Sequence, residues 1–228
     1  MGNMVDAKTE TLRTLLRHYL EQPNAVGLDA ESRDIWLATL TKTAPSVDVV
    51  ALEVNATMND LTLTQQGQMQ KLMKVGPHAV PMFANVGIVL SQADQAQTRL
   101  RALAFGALTA RPKGDATEAF GREREARDFL RTMSHSEKNS AFLKAVDTQD
   151  LEVVRAMLTA PGGAMVSDEI RARGEEAYAK RTNPAVLDKL KAVAVLREQL
   201  TVLATQVAQW LLHLGASPEA IQYLAPKV

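Results

Sequence analysis

The sequence predicts an all-α fold, a multi-helix bundle that ends in one long C-terminal helix. Three observations lead there. Good helix formers dominate the 228 residues, aromatics are only 4%, and β-branched residues are scattered. Apolar residues recur at steps of three and four through most of the chain. Between those runs stand Ser, Asp, Asn, Pro and Gly, the residues that start and stop helices.

Leu12, Leu15, Leu16, Tyr19 and Leu20 give one stripe on a helix near residues 6–22, with Pro23 and Gly27 after it. Asp29 is an N-cap for a second helix bearing Ile35, Trp36, Leu37 and Leu40, and Pro45 is expected to close it. Residues 46–75 read two ways. "DVVALEVNATMNDLTLT" alternates in part, as a small β-hairpin near 47–64 with Asn59-Asp60 in the turn would. The same segment runs as a helix through Val50, Leu52, Val54, Met58, Leu61, Met69, Leu72 and Met73. The helix is favoured because "QQGQMQKLMK" continues it in strong helix formers.

"VGPHAVP" predicts a loop, and residues 82–110 a long helix with one small-residue face. "ARPKGD", at 110–115, is the candidate linker. It would divide the chain into N-terminal (1–110) and C-terminal (115–228) helical regions. "ATEAFGREREARDFLRTM" reads as a charged helix, and Ser136 to Val146 as a short one. Asp150 caps a helix with Leu151, Val154, Met157 and Leu158, which Pro161-Gly162-Gly163 stops. Ser167 caps the next, with Asp168 and Glu169 in its first turn. Asn183-Pro184 opens the last helix, 184–214, about 45 Å long at ~1.5 Å per residue. Gly215 stops it, and Ser217-Pro218-Glu219 opens a final turn.

Charge and motif content narrow the chemistry. Lys+Arg and Asp+Glu balance at 26 each, so no global field draws in nucleic acid or an anionic membrane. The absence of cysteine excludes a thiol nucleophile, a disulfide framework and a Cys-based zinc site. His18, His78, His135 and His213 are far apart in sequence, without metal-pair spacing. There is no phosphate-loop glycine pattern and no nucleophile elbow. No catalytic, cofactor-binding or metal-binding residue is therefore assigned. No apolar run is long enough to cross a bilayer and no signal peptide is visible, and the lack of cysteine fits a cytoplasmic location.

Two residue sets remain as candidate surfaces. Leu187, Leu190, Leu196, Leu200, Leu203, Val207 and Trp210 follow a near-heptad seam that packs either inside the chain or against another copy. Arg122, Arg124, Arg127, Arg131, Arg171 and Arg173 could contact phosphates, although acids interleave with them.

The order "FLKAVDTQDLEVVRAMLTAPGG…VSDEIRARGEEAYAKRTNPAVLDKLKAVAVLREQL" resembles small helical proteins of tailed bacteriophages and prophages, encoded among virion structural genes. The likeness covers about residues 139–207. It implies a non-enzymatic structural or assembly protein, tied to head, portal or tail, that works through helix contacts with itself or with phage structural proteins. No functional residue transfers from it. The alternative is a packaging or ejection protein that holds nucleic acid on its arginine-rich helices.

Overall fold

The structure is a computed structural model that describes residues 2–22, 27–110 and 116–224. Among those residues it is all-α, with nine α-helices, one 3-10 turn and no strand. The helices are α1 (Gly2–Glu21), α2 (Ala30–Met58), α3 (Gln65–Ala79), α4 (Ala84–Thr109), α5 (Ala116–Arg131), α6 (His135–Thr148), α7 (Leu151–Leu158), α8 (Asp168–Thr182) and α9 (Pro184–His213). The 3-10 turn, Val80–Phe83, lies between α3 and α4. Pro23 and the expected linker residues 111–115 lie outside the described residues.

The chain forms two compact units, but not the consecutive halves 1–110 and 115–228. One unit is Met1–Ala96 with Ala192–Val228, and the other is Gln97–Lys191. Both boundaries fall inside a helix, α4 and α9, so neither is marked by Pro or Gly.

The first unit is built on an apolar core of Trp36, Leu40, Val47, Phe83, Leu203 and Trp210 with their neighbours. The Trp210 indole N–H donates to Thr9 Oγ1 at 2.9 Å, which fixes α1 against α9. Its ring meets Phe83 edge-on, with centroids 6.0 Å apart. Asp29 caps α2 by accepting from the Ser32 N–H at 2.9 Å, as its position predicts.

Pro45 does not close α2; the helix continues to Met58. A proline removes one N–H and leaves the carbonyl four residues back, here that of Thr41, without its helical donor. Thr41 and Pro45 are both exposed, so water can satisfy that carbonyl. The break comes later, and it is neither a hairpin turn nor continuous helix. After Met58, residues 59–64 form a tight connection before Thr64 caps α3 through the Gly67 N–H at 3.1 Å. The Asp60 carboxylate accepts from the Thr62 hydroxyl and from the Thr62 N–H. Those two bonds, then nearby Lys71, hold it below the usual carboxylate range. Gln68 straps the turn by donating to the Met58 and Asp60 carbonyls, each at 3.1 Å.

"VGPHAVP" is helical where a loop is expected. Pro77 lies inside α3, and the 3-10 turn follows directly. Pro77 has no N–H to offer the Met73 carbonyl. Gly215 packs against that carbonyl with no room for a side chain, in left-handed backbone at φ +90°. Beside it, the Gly76 N–H donates to the Leu214 carbonyl at 2.9 Å. A methyl group on Gly76 would stand 2.6 Å from both the Leu214 carbonyl oxygen and the Ala216 nitrogen. The end of α3 thus meets the end of α9 backbone to backbone. The final turn is anchored by Tyr223, whose hydroxyl donates to the Val80 carbonyl at 2.5 Å. Burial pushes that phenol above its ordinary pKa.

The second unit has its own core around Phe142, Val154, Met157, Leu108 and Leu130. The N-caps expected at Asp150 and Ser167 are present. Helix α6 starts one residue earlier than Ser136, because Ser134 and Glu137 close a capping box. A smaller cluster joins Ala104 and Ala179 to Leu187 and Leu190.

Alanine at Gly76 or Gly215 should lower stability by about 1–3 kcal/mol through overpacking, with added strain at the positive φ of Gly215. The loss should appear as roughly 2–4 °C of melting temperature per kcal/mol. Gly106 lies in α4 with open space where a methyl would go, and Gly106→Ala should instead stabilise by about 0.5–1 kcal/mol. Three equal melting temperatures would refute the close contact between α3 and α9.

Candidate functional site

The seam residues of the long helix are not exposed. Leu196, Leu200, Leu203, Val207 and Trp210 belong to the core of the first unit, and Leu187 and Leu190 to the small cluster of the second. Of the two packings the spacing leaves open, the structure shows the internal one: the chain buries these seven residues itself, so they offer no interface.

The arginines separate into three groups. Arg122, Arg131 and Arg171 lie at the surface and pair with acids. Arg122 meets Glu118 and, at 3.4 Å, Glu152; Arg131 meets Asp128 at 3.1 Å; Arg171 meets Glu175 at 2.8 Å. Glu118, followed by Glu152, raises the Arg122 pKa further above its ordinary value. Arg127 is buried, with its guanidinium 3.9 Å from Glu123 and over the Phe120 ring. Arg124 and Arg173 are exposed and make no ion pair among the described residues. The expected phosphate contacts on α5 and α8 thus form no single bare cluster, since carboxylates stand between them.

Two of the carboxylates that interleave with these arginines, Glu123 and Glu175, are buried, although their spacing in the sequence reads as a solvated charged face. Glu123 on α5 accepts from Arg155 of α7 at 3.1 Å, with Arg127 on its other side. Arg155 also donates to the Ala110 carbonyl at 2.5 Å, at the end of α4. Glu175 on α8 is held the same way by Arg171 and by Arg101 of α4, the latter at 3.4 Å. Each carboxylate is clamped by two guanidiniums, one from its own helix and one from another, which ties α4, α5, α7 and α8 by charge within the second unit. The partners on other helices lie 32 and 74 residues away in sequence, where no local spacing can show them.

One shallow cleft in this unit, of about 200 Å³, has an apolar floor of Leu143, Val146 and Ala177 and carries Arg173, Arg181 and Asp147 at its edge. Arg181 is engaged with the Asp147 carboxylate and carbonyl. No group of three or more His, Asp or Glu suited to a metal ion occurs among the described residues. No described helix is long and apolar enough to cross a membrane.

A second feature missed from sequence is the outer face of α2. Ile35, Ala38, Lys42, Pro45, Val49, Leu52 and Ala56 follow steps of three and four, and all seven are exposed. They lie opposite the buried stripe of Trp36, Leu40, Thr43, Val47, Val50 and Val54 on the same helix. Helix α2 therefore has two apolar faces, one in the core and one in solvent. Val49 and Leu52 are 53% and 65% exposed at the centre of the outer one.

Removing Glu123 should destabilise far more than removing a surface partner. Glu123→Ala leaves Arg155 and Arg127 buried without their counter-charge and should cost about 3–5 kcal/mol. Arg131→Ala breaks an exposed pair and should cost under about 0.5–1 kcal/mol. Urea midpoints of the two variants test this, and similar values would show that the buried clamp carries no special weight. Searches against protein-family patterns, curated proteins and solved structures find no match to the chain.

Proposed function

We propose that this protein is a non-enzymatic helical assembly component, of the kind that tailed-bacteriophage virions contain, and that it acts through helix-mediated contacts with other protein. The observation that carries the reading is the outer face of α2. A rigid helix, anchored through its inner stripe, holds Val49 and Leu52 in solvent within a continuous heptad-spaced row. Exposed apolar side chains grouped on one helix face in this way mark protein contact sites. The order of residues 139–207, similar to phage structural-region proteins, supplies the virion context.

Nucleic-acid handling is the second reading. It keeps Arg124 and Arg173 as arginines without a carboxylate partner among the described residues. Phosphate binding through them would weaken steeply as salt rises. Contact through the apolar face of α2 would be nearly indifferent to salt.

Mass spectrometry of purified particles from a phage that encodes the chain should find the protein incorporated. Leu52→Glu should leave the circular-dichroism spectrum unchanged and reduce incorporation by about tenfold or more, since burying a leucine contributes about 1.5–3 kcal/mol. Absence of the wild-type chain from particles, or incorporation untouched by Leu52→Glu, would overturn the reading.

A further inference from the structure

We infer that the outer face of α2 binds the same face of a second copy, antiparallel, to form a two-fold dimer. The inference rests on the proposed contact role of that face and names its occupant.

The spacing comes first. Residues 35, 38, 42, 45, 49, 52 and 56 alternate steps of three and four, the spacing at which two helices interlock side chains along a seam. From Ala38 to Ala56 the row is about 27 Å long at ~1.5 Å per residue. Alanines at both ends let two backbones approach closely.

Charge then sets the direction. Lys42 interrupts the apolar row, and Glu53 borders it beside Leu52; both are exposed, and neither forms an ion pair among the described residues. A parallel pairing would place Lys42 against Lys42 and Pro45 against Pro45, and would leave both Glu53 carboxylates without a partner. In the antiparallel register, Val49 packs on Pro45 of the copy and Ala56 on Ala38. The stem of Lys42 lies along Leu52 of the copy, and its ammonium reaches Glu53 there. The two-fold axis repeats that pair, so both copies satisfy both charges. Two Asp48 carboxylates approach one another at the edge of the seam near the axis. Each is already held by Arg13 of its own chain at 3.0 Å, which limits their repulsion.

Light scattering after size exclusion, at increasing protein concentration, tests the assembly. The wild type should move from 24.8 kDa to twice that mass. Lys42→Glu and Glu53→Lys should each weaken the dimer by about tenfold, because each puts like charges at both pair positions. An equimolar mixture of the two variants should recover the wild-type mass. In the mixed dimer the two substituted positions face each other with opposite charges, glutamate from one variant against lysine from the other. The native Lys42 and Glu53 face each other at the second pair position, so both pairs are complementary again. Both substitutions are at exposed positions, and circular dichroism checks that the fold is kept. A wild type that stays monomeric at about 0.2 mM overturns the inference. A dimer indifferent to the variants, or one the mixture does not restore, also overturns it. A monomer that still enters particles through Leu52 removes the second copy but keeps the assembly reading. A dimer that never enters particles does the reverse.

Discussion

The first unit depends on a backbone contact. The end of α3 lies so close to the end of α9 that neither Gly76 nor Gly215 has room for a methyl group. The contact is polar at its centre, where the Gly76 N–H meets the Leu214 carbonyl. It is completed on the α3 side by Pro77, which leaves the Met73 carbonyl without its helical donor at the point where Gly215 arrives. Because the helices touch through their backbones, the side chains around the junction are displaced into a shared core. Leu72, Val75 and Ala79 of α3 join Leu211 and Leu214 of α9 there, beside Phe83 and Trp210. Residues far apart in sequence are thus brought to one core by a contact between two glycine-bearing helix ends.

Much of the architecture was legible because it is written in local spacing. The caps at Asp29, Asp150 and Ser167 sit where a short polar side chain precedes an apolar stripe, and the long helix from Pro184 follows its own leucines. The errors came from prolines. Pro45 and Pro77 read as stops, yet a helix tolerates a proline when the carbonyl left behind finds another environment. Thr41 meets solvent, and the Met73 carbonyl meets Gly215. Such surroundings are set by the fold and have no sequence signature. The division into units was illegible for a related reason: its boundaries cross α4 and α9 in mid-helix, where composition does not change.

The β-hairpin alternative near residues 47–64 has a physical explanation. Val50 and Val54 face the core, whereas Leu52 between them faces solvent. A helix with two opposite apolar stripes places apolar residues at short, nearly alternating intervals, which imitates the period of a strand. The candidate arginines were ambiguous for another reason. Their exposed pairs follow the local three- and four-residue spacing, but the buried clamps of Glu123 and Glu175 join distant helices. Alternating Arg and Glu along α5 looks the same whether the charges are solvated or locked.

The location of the seam changes what kind of assembly the molecule can support. Had α9 carried the contact, a row of fully apolar side chains ending in Trp210 would have made a large, permanent interface. That row is core, and the outer face of α2 is narrower: Val49, Leu52 and Ile35 among alanines, a proline and a lysine. Burying the exposed part of a leucine or valine contributes at most about 1.5–3 kcal/mol, and association costs on the order of 4–15 kcal/mol before any surplus remains. Even doubled by symmetry, such a face would give only a weak contact, one that forms and dissociates with concentration. Weak contacts suit a protein that must meet its neighbours in register before it is fixed, because misplaced copies can leave. A single charge pair at the border of the seam then matters beyond its modest energy. In the proposed pairing it would select one direction and one register among the several that an apolar row alone would accept.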